Sequence, residues 1–116
     1  MPQVWHQALP SDALPAGKLT KALVAGRPVL LARLEDGTPA AAAVACPHDG
    51  ADLSQGSLYM GAVDCPRHHY LYDLRTGANR YPRNVFPDDL AERLQDLPLF
   101  SVKEEDGWIR VALAQE

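Results

Sequence analysis

Apolar side chains in this chain fall into short runs, and most are cut off by glycine, proline or aspartate before a helical repeat can build up. The opening "QVWHQAL" has the alternation of a strand. The stretch "GKLTKALVAGRPVLLARLEDGTPAAAAVAC" then predicts three short strands, with turns at Gly26-Arg27-Pro28 and at Asp36-Gly37. The run Ala40 to Ala43 has helical propensity, but it is confined between a Gly-Thr-Pro turn and a Cys-Pro pair, which predicts a strand instead. "GSLYMGAVDC" predicts a hairpin turning near Met60-Gly61, "YLYDL" a further alternating strand, and "RTGANRYP" a loop. "LPLFSVKEEDGWIRVAL" predicts two strands about the Asp106-Gly107 turn. One stretch has helical spacing: "PDDLAERLQDL" aligns Leu90, Leu94 and Leu97 and offers Asp89 and Glu92 as a capping pair, predicting a short helix near 88–96.

Composition supports that all-β pattern. A length of 116 residues suits one domain spanning 1–116 with one modest core. Ten prolines and eight glycines, scattered throughout, exclude a helical bundle. A formal charge of −4, with no stripe of lysine and arginine, argues against nucleic acid as a partner. No apolar run reaches the roughly 18 residues of a membrane span. The first residues lack the basic and then apolar regions of a secretory signal, so a cytoplasmic location is expected.

The chemistry is concentrated in "CPHDGADLSQGSLYMGAVDCPRHH", which holds both cysteines and three of the four histidines. Cys46 and His48 form a C-x-H pair, and Cys65 and His68 form a C-x-x-H pair. Each pair follows a strand-like segment and runs into a loop, so two loop tips can close on a group held between them. A disulfide is disfavoured in a reducing cytosol, whereas ordinary buried thiols remain an alternative. Two thiolates and two imidazoles suit tetrahedral zinc. The usual zinc pattern, however, puts both cysteines in one pair and both histidines in the other. One of each per loop suits a [2Fe–2S] core with Cys46 and Cys65 on one iron and His48 and His68 on the other.

On the residues "CPHDGADLSQG", "CPRHHYLYDLRTG", "ANRYP" and "EEDGWIRV", the chain resembles the Rieske ferredoxins from about Val24 onward. The resemblance implies a Rieske-type antiparallel β-sandwich whose cluster-binding loops, about 45–83, project as a small subdomain. It implies one [2Fe–2S] cluster per chain, with Cys46, His48, Cys65 and His68 as ligands and Tyr70, Tyr72 and Pro82 around them. Replacing two thiolates by neutral imidazoles removes two negative charges, which eases reduction and places the potential within roughly −150 to +300 mV. The lower part is expected, because high-potential relatives carry an extra cysteine pair, absent here, and a serine where this chain has Tyr70. Tyr72 either packs in the core or donates its hydroxyl to a cysteine sulfur. His69 stands where relatives commonly have glycine, and the segment from Asn84 to Leu97 is longer than a minimal ferredoxin needs.

The same resemblance implies a monomeric one-electron carrier between a flavin-containing NAD(P)H reductase and a terminal Rieske oxygenase. A tightly bound small subunit of a larger redox enzyme such as a nitrite reductase is one alternative, and a zinc-stabilised interaction module is another. An oxygenase would need a further iron held by two histidines and a carboxylate. Beyond the four ligands only His6 and His69 remain, so the chain is read as a carrier and not as an enzyme. Arg67, Arg75, Arg80 and Arg83 surround the second loop and suggest a basic patch that steers an acidic partner.

Overall fold

The computed structural model describes residues 3–47, 50–67, 69–83, 85 and 95–114. Among them are eleven strands: β1 (Gln3–Pro10), β2 (Leu19–Val24), β3 (Arg27–Arg33), β4 (Pro39–Ala42), β5 (Ser57–Tyr59), β6 (Ala62–Asp64), β7 (Leu71–Asp73), β8 (Asn79–Tyr81), β9 (Leu99–Phe100), β10 (Val102–Glu105) and β11 (Trp108–Ala114). They form three sheets in the orders β1-β11-β10, β2-β3-β4-β9 and β5-β6-β7-β8. Every strand pair is antiparallel. This is the expected all-β class, with the first two sheets forming the sandwich and the third the small subdomain.

Strand β3 explains how the layers are held. Val29, Leu30, Leu31 and Ala32 are all buried, and side chains alternate between the two faces of a strand. Val29 and Leu31 join Ile109, Val111 and Leu113 in one apolar cluster. Leu30 and Ala32 join Val63, Tyr72 and Leu74 in the other. The neighbouring alanines divide the same way, Ala41 with the first cluster and Ala40 and Ala42 with the second. A strand covered on both faces reads as an unbroken apolar run, which is why this part of the sequence lacks clean alternation.

Three tight hairpins carry two consecutive residues of positive φ: Ala25-Gly26 at 51° and 81°, Met60-Gly61 at 50° and 77°, and Asp106-Gly107 at 54° and 82°. Such turns match the twist of the strands they join. The last two are where the sequence predicts them. The first differs, because the turn is Ala25-Gly26 while Arg27 and Pro28 already belong to β3, with Pro28 opposite Leu23.

Two further differences concern short strands. Residues 79–81, expected in a loop, form β8 at the edge of the subdomain sheet. The C-terminal region has three strands and not two. β9 pairs with β4, the chain switches sheets at Ser101, and β10 pairs with β11. The Ser101 carbonyl accepts the Ala112 N–H at 2.9 Å, which holds that corner. Most of the helix expected near 88–96 falls on 86–94, outside the described residues, while Gln95 and Asp96 lie in neither helix nor strand. Among the described residues no helix is long and apolar enough to cross a membrane.

Candidate metal centre

Cys46 and Cys65 sit in two loops with the same backbone plan. Cys46 donates its N–H to the Ala51 carbonyl at 2.8 Å and accepts the Gly50 N–H at 2.8 Å. Cys65 donates to the Tyr70 carbonyl at 2.9 Å and accepts the His69 N–H at 3.0 Å. Antiparallel pairs close both loops one residue further out, Ala45 with Asp52 and Asp64 with Leu71. Each cysteine therefore begins a six-residue hairpin loop whose fifth residue has positive φ, 77° at Gly50 and 58° at His69. Glycine meets that requirement without a Cβ penalty, whereas histidine adopts it less readily.

Aspartates order the segments that follow both loops. Asp52 accepts the Ser54 N–H at 2.9 Å and pairs with Lys21 of β2 at 2.7 Å. Its carboxyl is held below the ordinary carboxylate range, first by Lys21 and then by Ser54. Asp73 accepts the backbone N–H groups of Arg75 at 2.7 Å and Thr76 at 3.2 Å, and the Arg80 guanidinium at 2.6 Å. Partial burial works to raise the pKa of Asp73, but Arg80 and the turn amides outweigh it and the net shift is downward. Arg80 also donates to the Met60 carbonyl at 2.8 Å, tying the β5–β6 turn to β7. Asp64 and His69 Nδ1 meet at 3.0 Å across the base of the second loop.

Inside, no disulfide joins the two cysteines, and both are buried in one apolar cluster with Leu30, Leu53 and Val63. The disulfide alternative is thereby set aside. Tyr72, fully buried on β7, places its hydroxyl 3.7 Å from Cys46 Sγ, within hydrogen-bonding reach of sulfur. Burial first, and then the adjacent Cys46 sulfur, push the pKa of that hydroxyl upward, so it stays a protonated donor. Asn79, on the neighbouring strand β8, is buried with its amide Nδ2 unpartnered.

The predicted residues are placed as follows. Cys46, Cys65 and Tyr72 come together in one buried cluster, and Tyr70 packs partly buried against it. Pro82 is buried in the turn after β8, where its carbonyl accepts the Val85 N–H at 3.0 Å. His48 and His68 lie outside the described residues. Among the described residues no group of three metal-ligating side chains converges. The basic patch does not stand as expected, because Arg75 pairs with Asp36 at 2.9 Å, Arg80 with Asp73 at 2.6 Å and Arg83 with Asp96 at 3.8 Å. Arg67 is exposed. Sequence reasoning missed Asn79, Asp52 and Asp73. The segments D-L-S and D-L-R-T-G carry the Asx-turn signal that marks Asp52 and Asp73, while nothing local marks Asn79.

This donor set fits an iron–sulfur group. Two buried thiols can ligate iron as thiolates, and the buried Tyr72 hydroxyl beside Cys46 can donate toward sulfur. An antiparallel sandwich with paired cysteine-bearing loops of this kind defines an iron–sulfur electron-transfer domain. The Rieske [2Fe-2S] domain model matches residues 4–91, and the chain belongs to that family. It carries a single [2Fe–2S] cluster and is an electron carrier of the Rieske ferredoxin type.

Sulredoxin from Sulfurisphaera tokodaii is 31% identical over 108 residues, covering 93% of this chain and 97% of that protein. The solved structure of a putative NADH-dependent nitrite reductase small subunit from Mycobacterium tuberculosis is similar with a TM-score of 0.79 and 26% identity, each chain covered over 100%. The ferredoxin of carbazole 1,9a-dioxygenase from Nocardioides aromaticivorans shares the fold, with a TM-score of 0.75, 24% identity and coverage of 96% of this chain and 97% of that one. Larger oxygenases also match, and the chain spans only 16–19% of their length.

Proposed function

We propose that residues 1–116 act as one domain that takes single electrons from a flavin-containing NAD(P)H reductase and delivers them to a terminal Rieske oxygenase. Cys46, Cys65, His48 and His68 are the proposed cluster ligands. The observation that carries this reading is the pair of equivalent loops closing on buried Cys46 and Cys65. The cluster supplies one-electron redox chemistry at a potential that its imidazole ligands raise above that of all-thiolate ferredoxins. Around it, the apolar cluster excludes water from the two sulfurs, and the Tyr72 hydroxyl donates toward Cys46. Of the two histidines not used as ligands, His6 lies on β1 in the outer sheet, whereas His69 follows β6 in the subdomain and pairs with Asp64. That separation supports leaving substrate chemistry to the partner.

Low-temperature electron paramagnetic resonance on dithionite-reduced protein, with metal analysis, tests the assignment. The expected result is about two irons per chain and a rhombic reduced signal that also appears with NAD(P)H and a flavin reductase. A reduced cluster that never passes its electron to any Rieske oxygenase would overturn the carrier role. The likeness to a nitrite reductase small subunit favours a second reading, a permanently bound redox subunit. Co-purification in fixed stoichiometry with a larger redox enzyme would select it. The zinc alternative gives way to the family assignment.

A further inference from the structure

Asn79 is a buried polar residue whose hydrogen bonds are only partly made. Its Oδ1 accepts the Arg83 backbone N–H at 3.2 Å, and its own backbone N–H reaches Asp96 Oδ1 at 3.4 Å. The occupied acceptor fixes which way the amide points, so the group left over is the Nδ2 donor, buried and without a partner. A buried donor in that condition calls for a specific explanation. Directly across the β7–β8 ladder stands Tyr72, whose hydroxyl lies 3.7 Å from Cys46 Sγ. Asn79 and Tyr72 are direct cross-strand partners, so their side chains leave the ladder on the same face.

We propose that Asn79 is a positioning residue whose Nδ2–H, unpartnered in this structure, closes onto the Tyr72 oxygen when the cluster is bound, committing the single Tyr72 proton to the Cys46 sulfur and so raising the cluster's reduction potential through Tyr72. A phenol has one proton to give and lone pairs to accept with. Accepting a bond from Asn79 polarises the hydroxyl and strengthens the bond that it donates. A stronger donor at sulfur stabilises the reduced, more negative cluster over the oxidised one. The inference rests on the reading that Cys46 ligates the cluster.

The test is a double-variant cycle on cluster-loaded protein, with the reduction potential as the readout. Asn79→Leu, close in size, is expected to lower the potential and shift the oxidised-to-reduced ratio at a fixed poise by about two- to tenfold, the span of one net hydrogen bond. In the Tyr72→Phe background the same change is expected to have no further effect. An equal shift in both backgrounds, or none in the wild-type background, overturns the proposal. Asn79→Ser is read the same way if Asn79→Leu does not load a cluster, and failure of both to load assigns Asn79 to structure alone and overturns it. Failure of the underlying site reading looks different, because a potential unmoved by Tyr72→Phe alone removes the Tyr72 contact whatever Asn79 does.

Discussion

Gly50 and His69 are equivalent residues of two loops built alike: each has positive φ, and each donates its N–H to the carbonyl of the cysteine four positions earlier. The second loop thus holds a side chain where its backbone favours none. His69→Gly is expected to stabilise the loop by about 1 kcal/mol, less the small contribution of the exposed pair with Asp64. His69→Asn should fall between glycine and histidine, and the β-branched His69→Val should be the least stable. Melting temperatures of the four loaded proteins check this order, and a valine variant as stable as wild type would refute the strain argument.

The cysteine assignment has a sharper test. Cys46→Ser and Cys65→Ser should each abolish cluster assembly, because both thiols are buried and Ser supplies a poorer ligand of nearly the same size. Iron content and visible absorption report the result. A full cluster without either cysteine would sink the ligand set.

For Tyr72→Phe the cluster should persist and its potential should fall by roughly 20–60 mV. That range converts a net hydrogen bond of about 0.5–1.5 kcal/mol at about 59 mV per tenfold for one electron. Protein-film voltammetry measures it directly. An unchanged potential would leave Tyr72 with core packing alone.

Gly56 closes the first loop region against the second. A Cβ there would overlap the backbone carbonyl of Asp64, the residue before Cys65, and backbone cannot move aside as a side chain can. Gly56→Ala should therefore destabilise the protein by about 1–3 kcal/mol and reduce cluster loading. Denaturant melts and iron content check both, and a fully loaded, equally stable variant would show that the two loops can part without harm.

Asp36 gives a prediction in pH. Hydrogen bonds from Thr38, and then from Arg75, lower its pKa to about 2 from 3.8. A carboxylate with a depressed folded pKa stabilises the fold above its unfolded pKa, and that stabilisation is lost as pH falls through the folded value. Wild type should be the more stable at pH 6 and Asp36→Asn should draw level near pH 2. Melting temperatures across that interval test it, and a gap that does not close would remove Asp36 as its source.

How much of this was legible in the sequence depended on where each signal was stored. The Met60-Gly61 and Asp106-Gly107 turns advertise themselves through glycine, and the C-x-H and C-x-x-H pairs through rare residues. Pro28 read as a turn because proline usually interrupts a strand, yet Ala25 takes up the left-handed geometry and lets Pro28 pair with Leu23. β8 was missed because "RTGANRYP" is rich in turn residues and only its pairing with β7 makes three of them a strand. The split of β9 from β10 at Ser101 was hidden for the same reason: which sheet a residue joins is a tertiary fact. Asn79 looks like one more loop residue until Tyr72 is placed opposite it.

Strand β3 carries a last consequence. Because Leu30 and Ala32 face the cysteine side while Val29 and Leu31 face the outer sheet, the two apolar clusters have a common wall one strand thick. Loosening around Cys46 and Cys65 is therefore expected to reach β11 through that wall. Amide protons of Val111 and Leu113 should exchange with deuterium faster when the cluster is removed, so the far sheet would serve as a gauge of whether the iron is in place.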